Sequence, residues 1–266
     1  MEKIGFSRLT FHVSRFTPHV SRFTFYVFCL TGWFLGIQPC VAELTAQEMV
    51  EKADAVRFPK EAFEVDLEMV TTKSNGEELA RRMKVRSQGP DKVLVEFYSP
   101  AREKGRALLM VDDNMWMAIP DLGKTIRVSA HQRLMGSDFS NGDVVRINLA
   151  KDYTARRLRT ESMDGVDAYL LELKAINRKV SYDRILYWIR KENFWPMKLE
   201  FYVLSGQLLK TLTYTKFAEA AGRIRPVGMT MESPLNPNQK TLMTFSDMHR
   251  TQLSDDIFRK NYLERR

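Results

Sequence analysis

Apolar and polar residues alternate along much of the chain, and the alternation marks strands. Phe63, Val65, Leu67 and Met69 interleave with Glu64, Asp66 and Glu68, a period of two that buries one face and wets the other. Ser74-Asn75-Gly76-Glu77 turns this segment back into residues 79–87, and Gly89-Pro90-Asp91 turns again into residues 92–98. A three-strand meander follows over residues 105–111, 115–119 and 124–128, jointed at Asp112-Asp113-Asn114 and Pro120-Asp121-Leu122-Gly123. Asp164-Gly165, between residues 154–163 and 166–174, and Ser205-Gly206, between 197–204 and 207–217, are two-residue hairpin signals. With residues 184–190, 224–233 and 240–248 the pattern predicts a mainly β fold of about eleven antiparallel strands.

Short helices frame the strands. Leu44, Met49, Val50, Ala53 and Val56 fall near helical spacing, and Thr45 with Glu48 three residues on forms a capping box. At the other end, Ser254-Asp255-Asp256 starts a final helix carrying Ile257, Phe258, Tyr262 and Leu263. Residues 107–111 and 115–119 break the wet and dry alternation because both faces are apolar, so the face outside the core needs a helix or a ligand over it. Thirteen of the fourteen methionines follow residue 42, several of them on these strands. Flexible thioethers fill irregular spaces and suit surfaces that accept varied apolar partners. Core packing accounts for any single Met or for Trp116; together they describe a greasy concavity.

Residues 1–42 carry a different pattern. Arg8, Arg15 and Arg22 precede an apolar run over residues 23–37, followed by Gln38-Pro39-Cys40-Val41-Ala42, the order of a secretory signal peptide cut after Ala42. The run is short for a membrane-spanning helix, which needs roughly 20 apolar residues. Gln38-Pro39 ahead of Cys40 does not suit lipidation there. A seven-residue repeat, residues 11–17 and 18–24, reads as translated repetitive DNA ahead of the true start, so His12 and His19 carry no function. The expected location is the periplasm.

Both cysteines, Cys29 and Cys40, lie in that leader, so residues 43–266 have no disulfide, no thiol nucleophile and no Cys metal ligand. The same residues hold 37 basic and 32 acidic side chains, a net charge of +5. That excess suits an anionic lipid or protein surface. Only His131 and His249 remain, neither at metal-ligand spacing, and no nucleophile elbow, P-loop or dinucleotide fingerprint occurs. Enzymatic function, a metal and a cofactor are not expected. Arg81-Arg82, Arg156-Arg157-Leu158-Arg159 and Arg265-Arg266 lack the aromatic platforms of single-strand nucleic-acid binding.

The ordered set of segments resembles a known family. A helix, the strand 63–69, a basic strand ending at Arg86, residues 93–97, Pro100, the stretch 108–116, Pro120 and Thr125-Ile126-Arg127 resemble the periplasmic lipoprotein-sorting proteins of the LolA/LolB type. Pro100 with Lys104-Gly105, Ile119-Pro120, Lys124 to Arg127 and Gly136-Ser137-Asp138-Phe139-Ser140 are similar to the branch of outer membrane lipoprotein-sorting proteins. Over residues 43–266 the resemblance implies an open, curved antiparallel half-barrel sheet wrapped around short helices. It implies a monomeric carrier whose concave face receives the acyl chains of lipoproteins or other lipids and which meets an inner-membrane transporter. The alternative is an accessory docking module of a lipid exporter. Candidate lipid contacts are Met69, Arg86, Val95, Phe97, Leu109, Met110, Trp116 and Met117. Arg86 stands near where the sorting proteins carry a functional arginine at a strand end, although Ser87-Gln88 follow it here in place of the usual Pro. Gly136, Ser137, Asp138 and Phe139 form either a capped helix start, with Phe139 as a plug, or a lid and docking point.

Overall fold

The computed structural model describes residues 43–145, 148–176 and 180–265. The signal-peptide reading of residues 1–42 lies outside the described residues. Alternation becomes strands where it was expected: β1 (Phe63–Thr72), β2 (Glu78–Ser87), β3 (Lys92–Ser99), β4 (Ala107–Val111), β5 (Asn114–Ile119), β6 (Lys124–Arg127) and β7 (Tyr153–Met163). The remainder are β8 (Val166–Ala175), β9 (Arg184–Arg190), β10 (Pro196–Tyr202), β11 (Leu208–Ala220), β12 (Arg223–Glu232) and β13 (Lys240–Arg250). The strands number thirteen and not the expected eleven, one for each of the thirteen segments that the turns delimit in the sequence, down to the four residues of β6. At the β7–β8 joint Asp164 (φ 52°) and Gly165 (φ 76°) are both left-handed, as a two-residue hairpin turn that follows strand twist requires.

All thirteen strands form one antiparallel sheet in the order β6-β5-β4-β3-β2-β1-β13-β12-β11-β10-β9-β8-β7. The chain runs from β1 outward to β6, crosses to the far edge through residues 128–152, and returns strand by strand until β13 pairs with β1. The edges β6 and β7 do not pair, so the sheet stays open.

Helices α1 (Ala46–Arg57), α2 (Asn141–Val145) and α3 (Leu149–Asp152) pack on one face of the sheet. The capping box of α1 is formed: Thr45 accepts from the Glu48 amide (3.2 Å), and the Glu48 carboxylate accepts from the Thr45 amide (2.8 Å). Met49, Val50 and Ala53 of α1 meet the inward row of β1 (Phe63, Val65, Leu67, Met69) and matching rows of the other strands in one continuous core. The outer face carries the charged alternates, among them Glu64, Lys84 and Arg86.

The doubly apolar strands also find their second cover in the chain itself. Leu94, Ala107, Leu109 and Ala118 on the outer face are buried beneath Phe258 and Leu263, flanked by Leu253, Ile257 and Tyr262. The single C-terminal helix expected there is two pieces, a 3-10 turn (Asp255–Phe258) and α4 (Lys260–Glu264), broken where Arg259 is extended (φ −100°, ψ 140°).

Candidate functional site

The last turn of α1 borders three of the spaces among the described residues. Met49, Ala53 and Arg57 are spaced by four, so Arg57 falls on the buried stripe of the helix and not on its wet side. The turn is fixed from three directions. Arg225, itself 2% exposed, donates through Nη1 to the carbonyls of Ala55 (2.9 Å) and Val56 (3.1 Å), a cation at the negative end of the helix. Asp54 Oδ2 accepts from the amide of Ala150 on α3 (2.8 Å), and Asp54 Oδ1 accepts from Arg57 Nη1 (3.0 Å). Gln47, near the other end, donates to the carbonyls of Ala150 and Tyr153 and accepts from the Ala155 amide.

Around this turn lie three spaces. A cleft of about 490 Å³ is walled by Asp54, Phe58, Pro59, Pro90 and Ala150, with Glu51, Lys60 and Lys151 at its rim. That volume is in the range of small-molecule pockets. Phe58 also borders an apolar cavity of about 20 Å³ with Phe63, Val65, Leu67, Met229, Met243 and Phe245. Arg57 lines that cavity and a further one of about 50 Å³ whose lining is mixed, with Leu199, Phe201 and Met231 beside Asp143, Asp152 and Ser181. Cleft and cavities therefore share the Asp54–Phe58 turn as a common wall.

Arg57 sits with two tyrosines that no pattern in the sequence singles out. Tyr187 on β9 is fully buried and Tyr214 on β11 is 8% exposed. Burial pushes both phenols above their ordinary value, so each stays a neutral O–H donor. Among the described residues neither hydroxyl has a hydrogen-bond partner, and neither does Arg57 Nε. Tyr214 lies beside the Arg57 guanidinium, whose charge and N–H groups pull against the effect of burial, although no hydrogen bond of good geometry joins the two. Burial pushes the Asp54 carboxyl up to about 6, against the pull of Arg57 and the Ala150 amide. A cation on an apolar stripe was the one legible signal of this cluster.

The candidates named from sequence divide between two faces. Met69, Val95, Phe97, Met110 and Met117 point inward and are buried in the main core. Leu109 and Trp116 point outward into the cluster beneath the C-terminal segment and are not available to a ligand inside the sheet. Neighbours along a strand face opposite ways, so Leu109 and Met110, or Trp116 and Met117, cannot share a surface. Arg86 is also on the outer face, where its Nε donates to Glu64 (2.6 Å) and it pairs with Glu96. An arginine does reach the inside of β2, but it is Arg81, whose Nε donates to the buried Glu103 (2.8 Å) and whose Nη2 donates to the Met135 carbonyl (2.6 Å).

The 136–140 corner is built into the interior. Phe139 plugs the core at 2% exposure, and Ser137 (0%) and Asp138 (4%) are buried. Asp138 accepts from Thr241 (2.8 Å), Gln239 (2.8 Å) and Arg133 (3.2 Å), and Ser137 donates to the Leu134 carbonyl (2.8 Å). Their polar atoms bond within the fold, as the capped and plugged corner requires, and of residues 136–139 only Gly136 is exposed. The helix behind the corner ends at Val145, and Arg146 lies outside the described residues. Among the described residues no group of three His, Cys, Asp or Glu is placed to hold a metal ion.

Comparison with known proteins matches this architecture. A family model described only as "Uncharacterized protein" fits residues 89–265, and no curated protein matches. A LolA superfamily protein from Nitrosomonas europaea is 40% identical with a TM-score of 0.78, over 83% of this chain and 100% of that one. A putative outer membrane lipoprotein-sorting protein domain from Vibrio parahaemolyticus is 26% identical, TM-score 0.73, over 82% of this chain and 98% of that one. A DUF1329 family protein from Desulfovibrio piger shares the fold at 24% identity, TM-score 0.75, over 82% and 97% of the two chains. With an open sheet wrapped on α1 and a relative this similar along that relative's whole length, the chain belongs to the LolA superfamily.

Proposed function

We propose that the protein is a periplasmic, non-enzymatic carrier that shelters acyl chains of a lipoprotein or lipid beneath its sheet on the way to the outer membrane. The observation that carries this reading is that the cleft and two smaller spaces beneath the sheet are all walled by the last turn of α1. Each methylene moved from water into such a surface contributes about 0.8 kcal/mol, so binding is strong yet reversible without covalent chemistry. The family membership and the sorting function in the printed name of the Vibrio relative support it.

The internal cavities, about 20 and 50 Å³, are far smaller than a pocket for an acyl chain, so cargo has to displace side chains or helices from the sheet. That packing favours a second reading, an accessory module that docks on a membrane lipid exporter and holds no cargo. Gel filtration of the full chain with a diacylated peptide, against the same peptide without its acyl chains, separates the two. A carrier elutes with the diacylated form alone. Elution with neither form sinks the carrier reading and leaves the docking module.

A further inference from the structure

Three buried donors without partners among the described residues lie near one another beneath the sheet: Arg57 Nε and the hydroxyls of Tyr187 and Tyr214. Native interiors leave few such groups unsatisfied, because an unpaired buried donor costs about as much as a lost hydrogen bond. All three are donors, and all belong to side chains at least nine-tenths buried. Arg57 borders both internal cavities. An incoming group that accepts hydrogen bonds and is otherwise apolar would satisfy what the fold leaves open.

We propose that Arg57, Tyr187 and Tyr214 form a polar anchor that hydrogen-bonds the carbonyl oxygen of an acyl ester carried beneath the sheet. The assignment rests on the carrier reading and names the part of the cargo that the interior recognises. Charge selects the carbonyl over a free carboxylate. Arg57 is already paired with Asp54 at 3.0 Å, so the cluster is neutral as a pair, and a second carboxylate would bury a net negative charge. A neutral ester asks only for donors, which are the groups left over. Arg57 lines both smaller spaces and its partner Asp54 lines the cleft, so a chain held by its carbonyl at Arg57 would extend under the sheet while its head group faced the cleft.

The test uses the full chain and three pyrene-labelled probes of equal length: a long-chain methyl ester, the matching carboxylate and the matching hydrocarbon. The ester is expected to bind more tightly than either of the others. Tyr187→Phe and Tyr214→Phe should each weaken the ester about three- to tenfold and leave the hydrocarbon unchanged, since each removes one hydrogen bond made only to the carbonyl. Without ligand both variants should unfold at the same or higher denaturant concentration than the parent. A drop would show that the hydroxyls already have a partner, such as ordered water, and would overturn the anchor. Equal binding of ester and hydrocarbon, or an ester preference that survives both substitutions, would overturn it while leaving the carrier reading intact. If no probe binds, the carrier reading itself fails. Displacement of the ester probe by a diacylated peptide or by phosphatidylglycerol supports the anchor and names the source of the carbonyl; displacement by neither contradicts it.

Discussion

Two polar clusters lie beneath the same sheet, and they are finished to different degrees. In the first, Asp143 accepts from Tyr182 (2.6 Å), Lys210 (2.5 Å) and the Ser140 amide (2.6 Å), while Lys210 also donates to the Asp138 carbonyl (2.9 Å). Its charged and phenolic groups all have partners. In the second, Asp54 and Arg57 pair with each other, but Arg57 Nε, Tyr187 and Tyr214 are left with donors to spare. A finished network holds residues 129–145 across the interior; an unfinished one offers hydrogen bonds to something else. The contrast separates scaffold from site without appeal to what either cluster resembles.

The largest effect should come from the finished cluster. Asp143→Ala leaves Lys210, only 9% exposed, as a buried charge without its carboxylate, and should cost about 3–5 kcal/mol in urea unfolding. A loss below about 1 kcal/mol would remove the claim that this network is scaffold.

Next comes the acidity of Asp54. Its folded value of about 6 lies above the ordinary 3.8, so the folded protein holds this proton where the unfolded chain has released it. Stability from the group is present below about pH 4 and is lost as pH rises through 6, by up to about 3 kcal/mol, with the ion pair making that an upper bound. Other carboxylates titrate in the opposite sense, so the quantity to measure is the difference between the parent and Asp54→Asn. That difference should shift in favour of the variant between pH 4 and pH 7, and a flat difference would contradict the burial of the charge.

A matched pair of substitutions then sets one cluster directly against the other. Tyr182→Phe removes a bond to a carboxylate and should cost about 1.5–3 kcal/mol, whereas Tyr187→Phe removes a hydroxyl that bonds nothing and should cost about zero. Equal losses would erase the distinction. The smallest effect is expected at Arg86. Its half-exposed outer-face pairs with Glu64 and Glu96 predict that Arg86→Ala costs about 1 kcal/mol or less, with acyl-chain binding unchanged. Loss of binding in this variant would restore the role that resemblance implied for it.

Much of the fold was legible because it is local. The capping box of Thr45 and Glu48, the Asp164-Gly165 hairpin and the alternation of β1 each depend on residues a few positions apart. The two apolar faces of β4 and β5 correctly signalled a second cover, and the cover is the C-terminal segment carrying Phe258 and Leu263. The two polar clusters were less legible because their parts are distant in sequence. Asp143 and Lys210 are separated by 67 residues, and nothing local links them. Tyr187, flanked by Leu186 and Trp188, and Tyr214, flanked by Thr213 and Thr215, read as strand packing; only their surroundings show that their hydroxyls are unpartnered. Arg57 was within reach, since a cation eight residues after Met49 on a helical stripe has to be buried. Leu109 and Trp116 were placed with their strand neighbours on one surface, which the pleat forbids.

The most direct test of the account is native mass spectrometry, with lipid extraction, of the protein purified without detergent from the periplasm of a Gram-negative host. The account predicts a population carrying phospholipid or acylated peptide, and recovery of ester-linked acyl chains in the extract. A protein of clean ligand-free mass that also takes up no added diacylated peptide would contradict it.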